Sequence, residues 1–178
     1  SSGNSIPNSS NALRARWQPL LRMTPVAGDI GLEAVTDDVA RTLTDALGTE
    51  GGPPRFAVFT ADGRGFVAVP ADEAAWNEQH ADRPAAWRGL DVALLHTWAL
   101  PALELDEEAQ ASGKYLTFTR SAEEAIAAVQ QGNAHAALLV RPTPSEAVRD
   151  VALAGQSMPQ KSTYYYPKLL TGFVMNDL

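Results

Sequence analysis

The chain has 178 residues, 45% of them hydrophobic, enough for one full domain with a sizeable core. It has no cysteine, which excludes disulfides, thiolate catalysis and cysteine-based metal sites. A formal charge of −7 argues against non-specific nucleic-acid binding, which needs many cationic phosphate contacts.

No apolar run approaches the roughly 20 residues that span a bilayer. Residues 1–28 hold Arg14, Arg16 and Arg22 and no acid, so the acidic excess falls on the remainder. Residues 1–11 are polar and of low complexity, and read as a tag or a loose natural leader. Residues 1–28 are therefore expected to form a disordered or arm-like leader before a single domain over 29–178. No secretory signal core is present, and a cytoplasmic location is the expectation.

From Thr36 the pattern becomes regular. Val39, Leu43 and Leu47 share one helix face, with Thr36 placed to cap the start and Gly48 to end it. Glu50-Gly51-Gly52-Pro53-Pro54 breaks the chain. Phe56–Phe59 and Phe66–Val69 read as a β-hairpin around the turn chemistry of Ala61-Asp62-Gly63-Arg64-Gly65. A short polar helix follows over 71–79. Leu90, Ala93, Leu94 and Trp98 then mark a buried helix that Pro101 limits.

Lys114–Thr119 alternates as a strand, and Ser121-Ala122-Glu123-Glu124 is a capping box. The box opens a helix with Ala125, Ile126 and Val129 inward, closing near Gly132. Ala136–Val140 is an uninterrupted apolar strand, as in a sheet covered on both faces. A helix over 144–154 and a strand over 170–175 complete the chain. The strand–helix alternation predicts an α/β fold (or a mixed α+β one): one sheet with helical crossovers, plus the N-terminal β-hairpin.

Two segments carry a resemblance. Trp87-Arg88-Gly89-Leu90-Asp91-Val92-Ala93-Leu94-Leu95-His96 and Met158-Pro159-Gln160-Lys161-Ser162-Thr163-Tyr164-Tyr165-Tyr166-Pro167-Lys168 resemble the prokaryotic family called domain of unknown function 1015, from roughly residue 32 to 178. The resemblance implies a chain about twice this length. Its first half is similar to the ParB and sulfiredoxin superfamily and carries an Asp-Gly-His-His-Arg signature. Related folds bind nucleotides and include a free-serine kinase, so it implies phosphoryl chemistry. Asp62-Gly63-Arg64 does not replace the signature, because it lies in the hairpin turn and has no histidines. The chain therefore resembles the family's C-terminal half, and a catalytic role resting on those histidines does not carry over.

Lys161, Ser162 and Thr163 place an ammonium beside two hydroxyls, a combination suited to phosphate. The spacing from Gly155 to Lys161-Ser162 imitates a P-loop, but a helix rather than a strand precedes it and Pro159 lies within it. The same residues could instead cap helix ends and lock a loop onto the sheet. Tyr165 could stack on a ligand or fill the core, and Lys168 could be a second phosphate contact or a solvated lysine. His96 is the best-placed histidine, either a ligand contact or a satisfied core residue. His80, beside Asp82, reads as exposed, and His135 as the start of a strand. Glu104–Glu108 could hold Mg2+ beside a nucleotide or form a solvated helix start. The histidines show no metal-ligand spacing.

The expected function is a binding module for a phosphorylated metabolite or nucleotide, acting with a separate catalytic half such as a ParB-like domain, or as a homodimer. The alternative is a structural or interaction domain. The third reading is a phosphotransferase, for which the chain alone is not catalytically complete. No cofactor is evident beyond a nucleotide with Mg2+, and neither nucleic acid nor membrane is expected as a partner.

Overall fold

The structure is a computed structural model and describes residues 10–26, 30–48, 52–103, 116–119, 121–141 and 171–176. Six strands form one sheet in the order β1-β3-β2-β5-β6-β4: β1 Leu21–Pro25, β2 Phe56–Thr60, β3 Gly65–Pro70, β4 Leu116–Thr119, β5 Ala134–Val140 and β6 Thr171–Asn176. Every pair of neighbours is antiparallel. The helices are α1 Ser10–Trp17, α2 Thr36–Leu47, α3 Glu73–Gln79, α4 Ala85–Arg88, α5 Asp91–Leu94, α6 Leu100–Ala102 and α7 Ala122–Gln130, with a π-turn over Leu95–Ala99.

The mixed α/β fold is thus as the sequence predicts, and the hairpin β2–β3 belongs to the main sheet. The crossover β4–α7–β5 joins two parallel strands, but β6 lies antiparallel between them, a split β-α-β arrangement.

Side-chain alternation in β2 and β5 divides the core into two layers. Phe56, Val58, Ala136, Leu138 and Val140 face α1 and α3–α6. Ala57, Phe59, Ala137 and Leu139 face α2 and α7. A bulge between Ala134 and Ala136 breaks the period, so Ala134 joins the α2–α7 layer while Ala136 faces the other way. Both faces of β2 and β5 are therefore covered, which is why Phe56–Phe59 and Ala136–Val140 are apolar throughout.

The α2 stripe holds as read: Val39, Leu43 and Leu47 are buried, and Gly48 ends the helix at φ 78°. Thr36 does not cap it. Val35 occupies the cap position, and the Thr36 hydroxyl donates instead to Gln130 Oε1 of α7. Ser121 does cap α7 as the capping-box reading predicts, its Oγ accepting from Glu124 N at 3.2 Å. In the hairpin turn Gly63 has φ 79°, and a Cβ there would press on Gly31, whose N–H donates to Gly63 O at 2.8 Å.

The expectation for the start of the chain is corrected. The leader over 1–28 does not hold for residues 10–26. Leu13 and Trp17 are 0% exposed, Leu21 and Met23 enter the core, and β1 is an edge strand of the sheet. Spaced at i and i+4 on α1, Leu13 and Trp17 form a small apolar stripe that the polar neighbours obscure. Asp62 in the hairpin turn accepts from Ser10 N at 3.1 Å and Ser10 Oγ at 2.9 Å, and Trp17 Nε1 donates to Ala99 O at 2.9 Å. Pro101 limits the helical run as read, because α6 ends at Ala102, one residue beyond it. A π-turn directly precedes α6, and Pro101 lies in the first turn of that short helix.

Candidate functional site

Of the sequence candidates, Lys161, Ser162, Thr163, Tyr165 and Lys168 lie outside the described residues, as do Glu104–Glu108 and the helix expected over 144–154. His96 lies half-buried in the π-turn, two residues before the buried Trp98. His80 is corrected from exposed to half-buried. Its ring packs against Trp76, Trp87 and Trp98 at centroid distances of 4.2, 5.2 and 6.4 Å, and its Nδ1 lies 2.9 Å from Trp76 O. Since a carbonyl only accepts, Nδ1 carries the proton and donates.

The tryptophans hold α3 against α4. Trp76 and Trp87 lie nearly parallel at 6.0 Å, Trp98 stands edge-on to Trp76, and Trp76 Nε1 donates to Arg88 O at 2.9 Å. This packing fixes the next residues of the motif. Leu90 enters the core and Asp91 opens α5, both buried.

Asp91 is the centre of a polar cluster. Arg141, immediately after β5, grips it through Nε to Oδ2 at 2.8 Å and Nη2 to Oδ1 at 2.7 Å. Arg141 N donates to Oδ2 at 2.9 Å, and Arg55 N donates to Oδ1 at 3.0 Å. The carboxylate therefore accepts four hydrogen bonds, two from one guanidinium fork, which is the geometry that offsets the cost of burying a charge. Arg141 Nη2 and Arg55 Nε both reach Pro53 O, at 3.4 and 3.2 Å. Burial, and then the like charge of Arg141, push the Arg55 guanidinium down from its usual pKa, against the opposing pull of Asp91.

In front of this cluster is a cleft of about 270 Å3, lined by Gly52, Pro53 and Pro54 on one side and by Glu73, Asn77, Ala85, Arg88 and Gly89 on the other. Helical spacing explains the second wall: Glu73 and Asn77 are i and i+4 on α3, Ala85 and Arg88 are i and i+3 on α4. The Nε of Arg88 is buried and has no hydrogen-bond partner within the described residues. Gly52, at φ 72°, allows the other wall to form, because a Cβ there would collide with the Arg55 guanidinium. Arg55 is thereby brought beside the cleft.

Sequence reading passed over Asp91, Arg141 and Arg55 as site residues. A signal existed: Asp91 directly precedes the apolar Val92-Ala93-Leu94-Leu95, and Arg141 directly follows the apolar Ala136–Val140. Charges abutting buried runs need partners, but the sequence does not say which charge meets which.

Among the described residues no group of His, Asp and Glu could hold a metal ion, and no helix is long and apolar enough to cross a membrane. No family model, no curated protein and no solved structure matches the chain.

Proposed function

We propose that the chain is a binding domain for a small phosphorylated ligand, held in the cleft between the 52–54 segment and helices α3 and α4. One observation carries the reading: Arg88 lines this cleft with a buried Nε that has no partner within the described residues, and the guanidiniums of Arg55 and Arg141 both reach the carbonyl of Pro53 in the facing wall. Guanidinium is the group best matched to phosphate oxygens, and the buried Nε of Arg88 is a donor in want of an acceptor. Lys161, Ser162 and Thr163, with Tyr165 and Lys168, are the second element of this proposal, as phosphate contacts from the other motif. The resemblance to domain of unknown function 1015 supports a role beside a separate catalytic half.

Thermal unfolding of the full chain in inorganic phosphate tests this. A ligand selective for the folded state adds about 2.7 kcal/mol at a hundred times its Kd. Arg88→Gln should remove the phosphate-dependent rise and leave the phosphate-free midpoint in place. A rise of equal size in Arg88→Gln would refute the cleft as the site, and loss of the rise in Lys161→Ala would assign part of the binding to the other motif.

The structural reading also has an observation in its favour. Trp87, Leu90 and Asp91 of the first motif are buried, and the Asp91 carboxylate is fully engaged within the protein. Those three residues lock the fold, while Arg88 and Gly89 of the same motif line the cleft.

A further inference from the structure

We infer that the cleft selects a short phosphomonoester bearing its own hydroxyl or ammonium group, and not a nucleotide. The inference rests on the proposed anion-binding role and narrows it. The volume of about 270 Å3 falls below the roughly 300–1,000 Å3 typical of drug-sized ligand sites. A phosphoryl group with a short substituent fills that volume, whereas the base and ribose of a nucleotide would extend out of the cleft.

The lining residues then specify the substituent. The Gly52-Pro53-Pro54 wall has no ionisable side chain, and its two prolines have no N–H to offer. The opposite wall is polar and divided by charge. Arg88 on α4 supplies the cation for the phosphoryl group, with Arg55 behind Gly52 adding to the field. An ionised Glu73 on α3 accepts and cannot donate, and Asn77 one turn later both donates and accepts. An acidic side chain in an anion-binding cleft repels a bare phosphate. It becomes favourable when the ligand carries a donor for it, which is how a site discriminates between two anions of similar size.

The test is calorimetric titration of the full chain with methyl phosphate, glycerol 1-phosphate, phosphoethanolamine and ADP. Glycerol 1-phosphate or phosphoethanolamine should bind about tenfold more tightly than methyl phosphate, and whichever is the tighter identifies the donor as hydroxyl or ammonium. Glu73→Gln should close that gap chiefly by strengthening methyl phosphate, and Arg88→Gln should weaken all of the short esters. Equal affinities for methyl phosphate and both donor-bearing esters would overturn the selectivity while leaving anion binding intact. So would ADP binding more tightly than every short ester. Failure of all four ligands to bind the unsubstituted chain would overturn the anion-binding role as well.

Discussion

The two faces of the sheet are built on different rules. Facing α2 and α7, the core among the described residues includes Val39, Leu43, Leu47, Ala125, Ile126, Val129 and Leu139, with Phe59 the one large ring among them. Facing α1 and α3–α6 it holds Trp17, Trp76, Trp87, Trp98, Phe56 and Phe66, and the buried Asp91–Arg141 pair adjoins it. A groove of about 480 Å3 lies between α2 and the start of α7, larger than the cleft by Arg88, but its ionisable lining is Asp37, Asp45 and Glu123 with Arg41. Volume alone would choose the groove. Charge and an unsatisfied buried donor choose the cleft. The comparison teaches that one face supplies stability by simple aliphatic packing, while the other combines aromatic packing with the costly burial of the Asp91–Arg141 pair.

The largest effect should come from splitting the ion pair. Asp91→Ala or Arg141→Ala leaves a buried charge without its partner and should cost about 3–5 kcal/mol in denaturant unfolding. The double variant Asp91→Leu with Arg141→Met should recover only part of that stability, because it removes both buried charges but leaves the backbone N–H groups of residues 55 and 141 without their acceptor. If each single variant were as stable as the parent chain, the pair would not be the keystone of its face.

Next, Leu43→Ala on the aliphatic face should cost about 2–5 kcal/mol and leave the phosphate-dependent rise in midpoint unchanged. A lost rise would mean that the two faces are coupled. Gly52→Ala should cost about 1–2 kcal/mol, since an L-residue is strained at φ 72°. Its displacement of Arg55 should also weaken phosphate binding more than the stability loss alone explains.

The smallest effect concerns Asp62. Its partial burial raises the carboxyl pKa, but hydrogen bonds from Thr60 Oγ1 and from Ser10 N and Oγ outweigh this and hold it below 3.8. The folded state thus binds the proton less readily than the unfolded chain. The contribution is complete above the unfolded value and is lost as pH falls from 3.8 through the folded value. Asp62 is exposed enough for water to screen it, so the contribution is under ~1 kcal/mol. Asp62→Asn should flatten the acid limb of a stability–pH curve slightly, and an unchanged limb would remove Asp62 as the clamp on α1.

How much was legible followed the range of the interactions. The α2 stripe, the β2–β3 hairpin, the Ser121 cap and the apolar β5 depend on neighbours within a few residues, and the sequence displays them. α1 was missed because two of its three buried residues, Ser10 and Trp17, are anchored by Asp62 and by Phe56 and Ala99, all distant in the chain. The antiparallel order was missed because strand alternation does not reveal that β6 inserts between β4 and β5. The cleft was half legible. Trp87-Arg88-Gly89-Leu90-Asp91 stood out, but its division into buried Trp87, Leu90 and Asp91 and cleft-lining Arg88 and Gly89 comes from tertiary packing. Pairing Asp91 with Arg141 needs residues 50 positions apart to meet.

The central claim is that the cleft by Arg88, and not the larger groove on the other face, binds the anion. A phosphate titration followed by amide NMR of the full chain tests it most directly. The account predicts saturable shifts centred on Gly52, Asn77, Arg88 and Gly89, with Arg41, Thr44 and Asp45 unmoved. Shifts centred on Arg41, Thr44 and Glu123, or none at Gly52, Asn77 and Gly89 at saturating phosphate, would contradict it.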